Sequence, residues 1–342
     1  MADQSMRGFM AELERLGDLH RVPRQVDPAY EIGAVLGARD RGKAQLFLDV
    51  QGHTMPVVGN LLNSRDRIAL GLGVPRHALS ATLLQALGQR VAPAIVTDAP
   101  VQQVVVAGRN PVDDQTSRGG TPGLELERLL PVPTWFEREA GPYITAGVIV
   151  AKDPETGRRN VSIARLRLEG GDRLMAGIAA NHHLSILARK AQQLGRPLEI
   201  AVAIGNHPAV LIASQMYVEL GDDEFDIAGA LLGQPLRLAR CKSVDLEVPA
   251  EAEIVIEGSL HADQLVEEGP VSEFPGFYVS YGPGFGVQAR ALTHRQDAIY
   301  QAILPGYAAE HCLLGGVAIG ATLCQSLRKA IPAVRQVHIT EG

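Results

Sequence analysis

Between residues 143 and 258 the chain is a succession of strand-like segments broken by few helical ones, and this proportion constrains the fold more than any other feature. Residues 143–151, 161–168, 198–205, 236–246 and 252–258 carry the β-branched and apolar residues of strands. One strong helix interrupts them. Leu184, Leu187, Ala188, Ala191 and Leu194 share a face, and Gly195 stands where a left-handed C′ residue ends such a helix. A second helix is expected over 224–232, with Asp222 and Asp223 available as caps and Gly233 at its end. Many strands with few helices predict a β-barrel or β-sandwich core for this part.

The flanks differ. Phe9, Leu13 and Leu16 lie at helical spacing, residues 46–48 and 56–59 read as strands, and 65–72 and 79–87 read as helices. That mixture predicts an α/β or α+β domain. The polar Gly/Asp/Thr/Pro stretch 110–123 reads as a linker or long surface loop. Beyond about Arg290, residues 315–327 read as a small-residue helix and 334–339 as a new strand. The expected organisation is therefore an N-terminal α/β domain (1–115), a central β domain (116–290) and the start of a C-terminal α/β domain (291–342) that looks incomplete.

Composition narrows the function classes. A net charge of -6 argues against a dedicated nucleic-acid surface. No run of about 18 apolar residues is present, so no membrane span is expected. The N-terminus lacks the apolar core of a signal peptide, and a cytoplasmic location is expected. Cys241, Cys312 and Cys324 form no CxxC pair and read as free thiols.

Several features could carry chemistry, and each has a plain structural reading. Asn160 to Arg165 reads as a half-buried strand ending in an arginine. His182 and His183 precede the strong helix, where a histidine is usually a cap. Glu224 opens the next helix, where an acid complements the dipole. The segment from Glu267 to Tyr278 is less ordinary, because Glu267, Glu268 and Glu273 stand among Gly, Pro and the aromatics Phe274, Phe277 and Tyr278. Those aromatics are expected to draw the loop against protein. Carboxyls beside apolar surface tend toward raised pKa values, which suits proton transfer. Gly282-Pro283-Gly284-Phe285-Gly286 lacks the context of a dinucleotide loop and reads as a turn. Ser185 and Ser214 have no triad partners.

Four motifs in order make a specific pattern: Gly141-Pro142-Tyr143-Ile144-Thr145, Asp153-Pro154-Glu155-Thr156-Gly157, Asn160-x-Ser162-Ile163-Ala164-Arg165, and Glu268-Gly269-Pro270 with Glu273. Together they resemble the UbiD family of prenylated-FMN-dependent decarboxylases, over nearly the whole chain, with a pattern most like the ferulate and cinnamate decarboxylase branch. The resemblance implies a central split β-barrel that binds the flavin. It implies that Asn160, His183 and Glu224 hold a divalent metal, Mn2+ or Mg2+, which clamps the flavin phosphate. Ser162, Ile163, Ala164, Arg165, His182, Ser214, Gln215 and Met216 would contact the cofactor, and the 213–216 loop with Glu224 would hold K+. Arg165, Glu268 and Glu273 would form the catalytic set, with Arg165 gripping a substrate carboxylate, Glu268 orienting it and Glu273 protonating carbon after CO2 leaves. A flavin prenyltransferase is implied as cofactor supplier, and a homodimer or larger homo-oligomer as the assembly.

The implied reaction is reversible, non-oxidative decarboxylation of an aromatic or α,β-unsaturated acid. The competing reading is a non-catalytic flavin-binding or assembly protein that keeps the fold; presence of all three catalytic residues favours the enzyme. One local conflict follows from geometry. Asn160 and Arg165 have opposite parity in a regular strand, and the apolar alternation slips from Val161 and Ile163 to Leu166 and Leu168. A bulge or strand end near Ala164-Arg165 is therefore expected, turning Arg165 toward the pocket.

Overall fold

The computed structural model describes residues 3–108 and 124–340, so the expected linker at 110–123 lies outside the described residues. The chain opens with the helix Met6–Arg15. Ser5 caps it by accepting from the Gly8 amide, and it buries Met6, Phe9, Met10 and Leu13. Strands Leu19–Val26 and Ala44–Val50 then pair in parallel, with the helix Glu31–Ala38 between them in sequence. Val57–Gly59 adds an antiparallel strand to this sheet. Tyr300–Gln301 returns late in the chain to complete it, parallel to Val57–Gly59. The first part is α/β as expected, but it recruits residues from beyond 290.

The central part is built on one large sheet; the strand expected over 236–246 is only Arg237–Arg240 and lies in a small separate sheet with Glu247–Pro249 and Ala94–Ile95. The hydrogen-bonded order of the large sheet runs through Tyr143–Ile144, Arg165–Gly170, Arg173–Gly177, Pro283–His294, Ile254–Glu267, Leu198–Ile204, Val148–Lys152 and Arg159–Ile163, with Val104–Ala107 attached to Pro283–His294. The strand Arg159–Ile163 ends one side of this order, and Arg165–Gly170 lies next to the other end. Yet only Ala164 separates them in sequence. Successive Cα atoms are about 3.8 Å apart, so the sheet has to curl until its two ends almost meet. The result is a curled sheet that hydrogen bonds do not close, with the gap at residues 163–165. The expected strand end is thus real. Val161 pairs with Val150 on one side, and Arg165 pairs with Gly177 on the other.

Three further expectations need correction. Residues 334–339 form no strand. Among the described residues they pair with no sheet edge and instead run beside the helix Ala309–Ala330, close to Gly316 and to Gly320, where a side chain would crowd Val337 O. Pro283 to Gly286 is the start of the strand Pro283–His294, with the turn displaced to Gly282 at φ +84°. Phe277, 59% exposed, does not draw its loop inward, whereas Phe274, 49% exposed, stacks on His311; the loop is closed by a short hairpin, Pro270–Ser272 against Tyr278–Ser280.

Candidate active site

The break at Ala164 positions the two halves of the site. In Arg159–Ile163, Asn160 and Ser162 share one face and are buried at 4% and 6% exposure. After the break, Arg165 and Arg167 share a face of their own strand, while Leu166 and Leu168 fill the core. A single cavity of about 1020 Å³ spans the break. That is at the upper end for a ligand pocket and has room for a cofactor and a substrate together. Every candidate residue read from the sequence lines it: Asn160, Ser162, Ile163, Ala164, Arg165, His182, His183, Ser214, Gln215, Met216, Glu224, Glu268 and Glu273.

Arg165 is the centre of one wall. Its Nε–Nη2 edge donates to both oxygens of Glu268, at 2.9 Å for Nη2, and its Nη1 donates to Glu273 Oε1 at 3.1 Å. Such a two-point grip is the strong form of this contact. Burial works against the charge of Arg165, but the hydrogen bond to Glu268 and the charges of Glu268 and Glu273 prevail and raise its pKa. The Tyr281 ring covers the guanidinium at 4.9 Å. Glu268 is 1% exposed and Glu273 9%.

The main chain of Glu268 is held independently. Arg167, itself 7% exposed, donates through Nη1 to Glu268 O and through Nη2 to Glu267 O at 2.9 Å, while its Nε pairs with Glu169. Gly177 leaves the space that the Arg165–Glu268 pair fills, since a side chain there would strike Glu268 Oε1 and lie 2.9 Å from Arg165 Nε.

The opposite wall is built from two helix starts. His182 caps the helix His183–Gln193 by accepting from the Leu184 amide at 3.3 Å, which leaves His183 as the first helical residue. Asp223 caps Glu224–Leu232, and Gly233 ends it in the left-handed region at φ +66°. Arg159 ties this start down by donating to Asp223 and Glu247, both at 2.8 Å. Glu224 is 3% exposed and accepts from the Val161 amide at 2.7 Å and from Asn160 Nδ2 at 3.1 Å. Burial is the leading cause that pushes its carboxyl up to about 8. Asn160 Oδ1 is buried without a partner. A buried amide oxygen, a buried carboxylate and the imidazole of His183 on one cavity wall fit a divalent cation of the Mn2+ or Mg2+ kind. The donor set contains no thiolate.

Some residues of the site, Arg167 behind the cavity wall and Glu139 and His311 on it, were not singled out from sequence. Arg167 follows Arg165 by two and shares its face, a signal the strand period carried. Glu139 lines the cavity but looks no different in sequence from Glu137, which is exposed. His311 lines it as well, donating through Nδ1 to Gly306 O at 2.9 Å and stacking on Phe274 with ring centres 4.3 Å apart.

The matches to known proteins agree with this architecture. The model of the 3-octaprenyl-4-hydroxybenzoate carboxy-lyase Rift-related domain matches residues 103–308, and that of its N-terminal domain matches residues 10–87. Anhydromevalonate phosphate decarboxylase of Methanothermobacter thermautotrophicus is 33% identical over 343 aligned positions, covering 98% of this chain and 74% of that protein. The chain belongs to the UbiD family. Among solved UbiD-class structures, an evolved dimeric form of HmfF from Pelotomaculum thermopropionicum, in complex with prFMN, superposes with a TM-score of 0.92 at 42% identity, covering 99% of this chain and 76% of that one. Vanillic acid decarboxylase of Sedimentibacter hydroxybenzoicus in its closed form gives 0.89 at 27% identity, covering 97% and 71%. The chain is thus a UbiD-class carboxy-lyase with a flavin as its cofactor. No helix among the described residues is long and apolar enough to cross a membrane.

Proposed function

We propose that this UbiD-family enzyme catalyses reversible, non-oxidative decarboxylation of an aromatic or α,β-unsaturated carboxylic acid, with Arg165, Glu268 and Glu273 as its catalytic set. The observation that carries the reading is the contact of all three on the cavity wall, across the sheet gap from Asn160, His183 and Glu224. Glu268 occupies the Nε–Nη2 edge of Arg165 and fixes the plane of the guanidinium. The substrate carboxylate takes the remaining Nη1 side, where Glu273 now sits. Glu273 in its protonated form needs no cation, so it yields that place and delivers its proton to carbon as CO2 leaves. Prenylated FMN, when bound, supplies the electron sink for C–C cleavage.

Ser162, Ile163, Ala164, His182, Ser214, Gln215 and Met216 line the cavity as flavin contacts. Asn160, His183 and Glu224 would hold Mn2+ or Mg2+, which would neutralise the charge of the flavin phosphate, and Glu224 with the 213–216 turn would hold K+. The domain assignment that goes with this reading is 1–115, 116–290 and 291–342. A flavin prenyltransferase supplies the cofactor, and the working form is a homodimer or larger homo-oligomer.

The test is reconstitution with prenylated FMN and Mn2+, followed by CO2 release from a panel of aromatic and α,β-unsaturated acids. Release from at least one acid, lost on chelating the metal, is expected. A flavin-loaded chain that neither releases CO2 nor exchanges solvent deuterium into an alkene or arene product overturns the reading.

A further inference from the structure

Three carboxyl groups, those of Glu139, Glu268 and Glu273, line the cavity near Arg165, and two of them bond its guanidinium. Glu268 and Glu273 both reach Arg165. The neighbouring Arg167 is committed to Glu169 and to the main-chain oxygens of Glu267 and Glu268. The third carboxyl, Glu139, contacts no cation among the described residues. Its Oε1 accepts from the Ser272 amide at 3.1 Å, one residue before Glu273, and its Oε2 is buried without a partner.

The charged and titratable groups facing Glu139 are Arg165 from its strand, Glu268 from the turn after Ile254–Glu267, and Tyr143. From its own segment, Arg138 lies over the Tyr278 ring, 5.7 Å away. Arg165 already serves two carboxylates, so a third negative charge beside them is disfavoured. Glu139 is the one with a spare oxygen, and burial is the leading cause that pushes it up to about 7.

The reaction needs such a store. Decarboxylation of a carboxylate breaks the C–CO2 bond, leaves the electron pair to form a C–H bond and consumes one proton per turnover. That proton comes from Glu273, which ends as a carboxylate inside the cavity and has to be reloaded. We propose that Glu139 is the proton reserve of the site: hung on the Ser272 amide beside Glu273, it returns a proton to the Glu268–Glu273 pair after each turnover and is refilled from solvent. This rests on the decarboxylase reading above. Glu139 touches neither substrate nor flavin in this scheme and acts through Glu273. In the carboxylation direction the same groups run in reverse, with Glu139 taking the proton that Glu273 removes from carbon.

Glu139→Gln tests it, because a Gln oxygen still accepts from Ser272 while nothing at the position can ionise. In 13C-glutamate-labelled chain without flavin, a carboxyl resonance with a near-neutral midpoint is expected in the wild type beside those of Glu224 and Glu310, and the variant is expected to lack that one alone. In the reconstituted enzyme, kcat is expected to fall roughly a hundredfold with KM little changed. The lost rate is expected to return with rising concentrations of a small weak acid such as acetic acid, which has no effect on the wild type, and Glu139→Asp is expected to restore part of it. A variant that matches an active wild type in kcat and pH profile overturns the relay alone. A loss of kcat that no added acid rescues reduces Glu139 to a structural hydrogen bond and also overturns it. A wild type that releases no CO2 overturns the decarboxylase reading, and the relay with it.

Discussion

Glu273 stands 3.1 Å from Arg165 Nη1, the one terminal nitrogen of that guanidinium that Glu268 leaves free. The two glutamates therefore differ in kind although both touch the same arginine. Glu268 is locked by a two-point grip and by its own main chain, whereas Glu273 meets Arg165 through one bond. Glu273→Gln should abolish turnover, by roughly a thousandfold or more, because the amide cannot donate a proton to carbon. Flavin binding, followed by the cofactor's absorbance on the purified variant, should be unchanged. Turnover near the wild-type rate would show that another group protonates carbon.

A smaller change reaches the same pair from behind. Gly177 has no positive φ, so alanine is acceptable to its backbone. Its Cβ would nevertheless strike Glu268 Oε1 and approach Arg165 Nε. The pair has to shift by something near 1 Å, and a displacement of that size costs about a hundredfold in rate. Gly177→Ala should therefore fold and bind flavin, yet lose kcat by about that factor. A variant with wild-type kcat would show that the pair tolerates displacement.

Arg167 should divide stability from activity. Its two carbonyl bonds hold the Glu267–Glu268 main chain, and a lysine can reach only one acceptor at a time with the same strength. Arg167→Lys should lower kcat while leaving flavin affinity within a few-fold. Arg167→Met leaves Glu169 and two carbonyls without their donor and should cost about 2–4 kcal/mol of folding stability, read from the urea midpoint. Equal kcat in Arg167→Lys and wild type would remove Arg167 from the positioning of Glu268.

Much of this site was legible because its motifs are local. Asn160 and Arg165 sit on one short stretch, and the slip of alternation between Ile163 and Leu166 announced the strand end that separates them. The helix ends at Gly195 and Gly233 were readable because both take the left-handed region that glycine enters freely. Glu139 and His311 were not readable. Each becomes part of the cavity only through long-range packing, against Ser272 in one case and Phe274 in the other. The missing strand at 334–339 has the same cause in reverse. Its β-branched residues suit a strand, but a strand needs a partner edge, and the described chain offers none there.

Glu310 gives the clearest pH signature for the fold. It opens the helix Ala309–Ala330, is 1% exposed, and accepts from the Leu62 amide at 2.7 Å while its Oε2 has no partner. Burial is the leading cause that raises its carboxyl from 4.5 to about 7. The folded chain then binds more protons at this group than the unfolded chain between those values. Stability from Glu310 is therefore fully present below about 4.5 and is lost as pH rises through about 7. Glu310→Gln keeps an acceptor for Leu62 and removes the ionisation. Its stability relative to wild type should climb across that interval, by up to about 3 kcal/mol, and level off above it. Urea midpoints at a series of pH values, with the m-value unchanged, measure this. A difference that stays flat across the interval would mean that Glu310 titrates in the folded chain as it does in water.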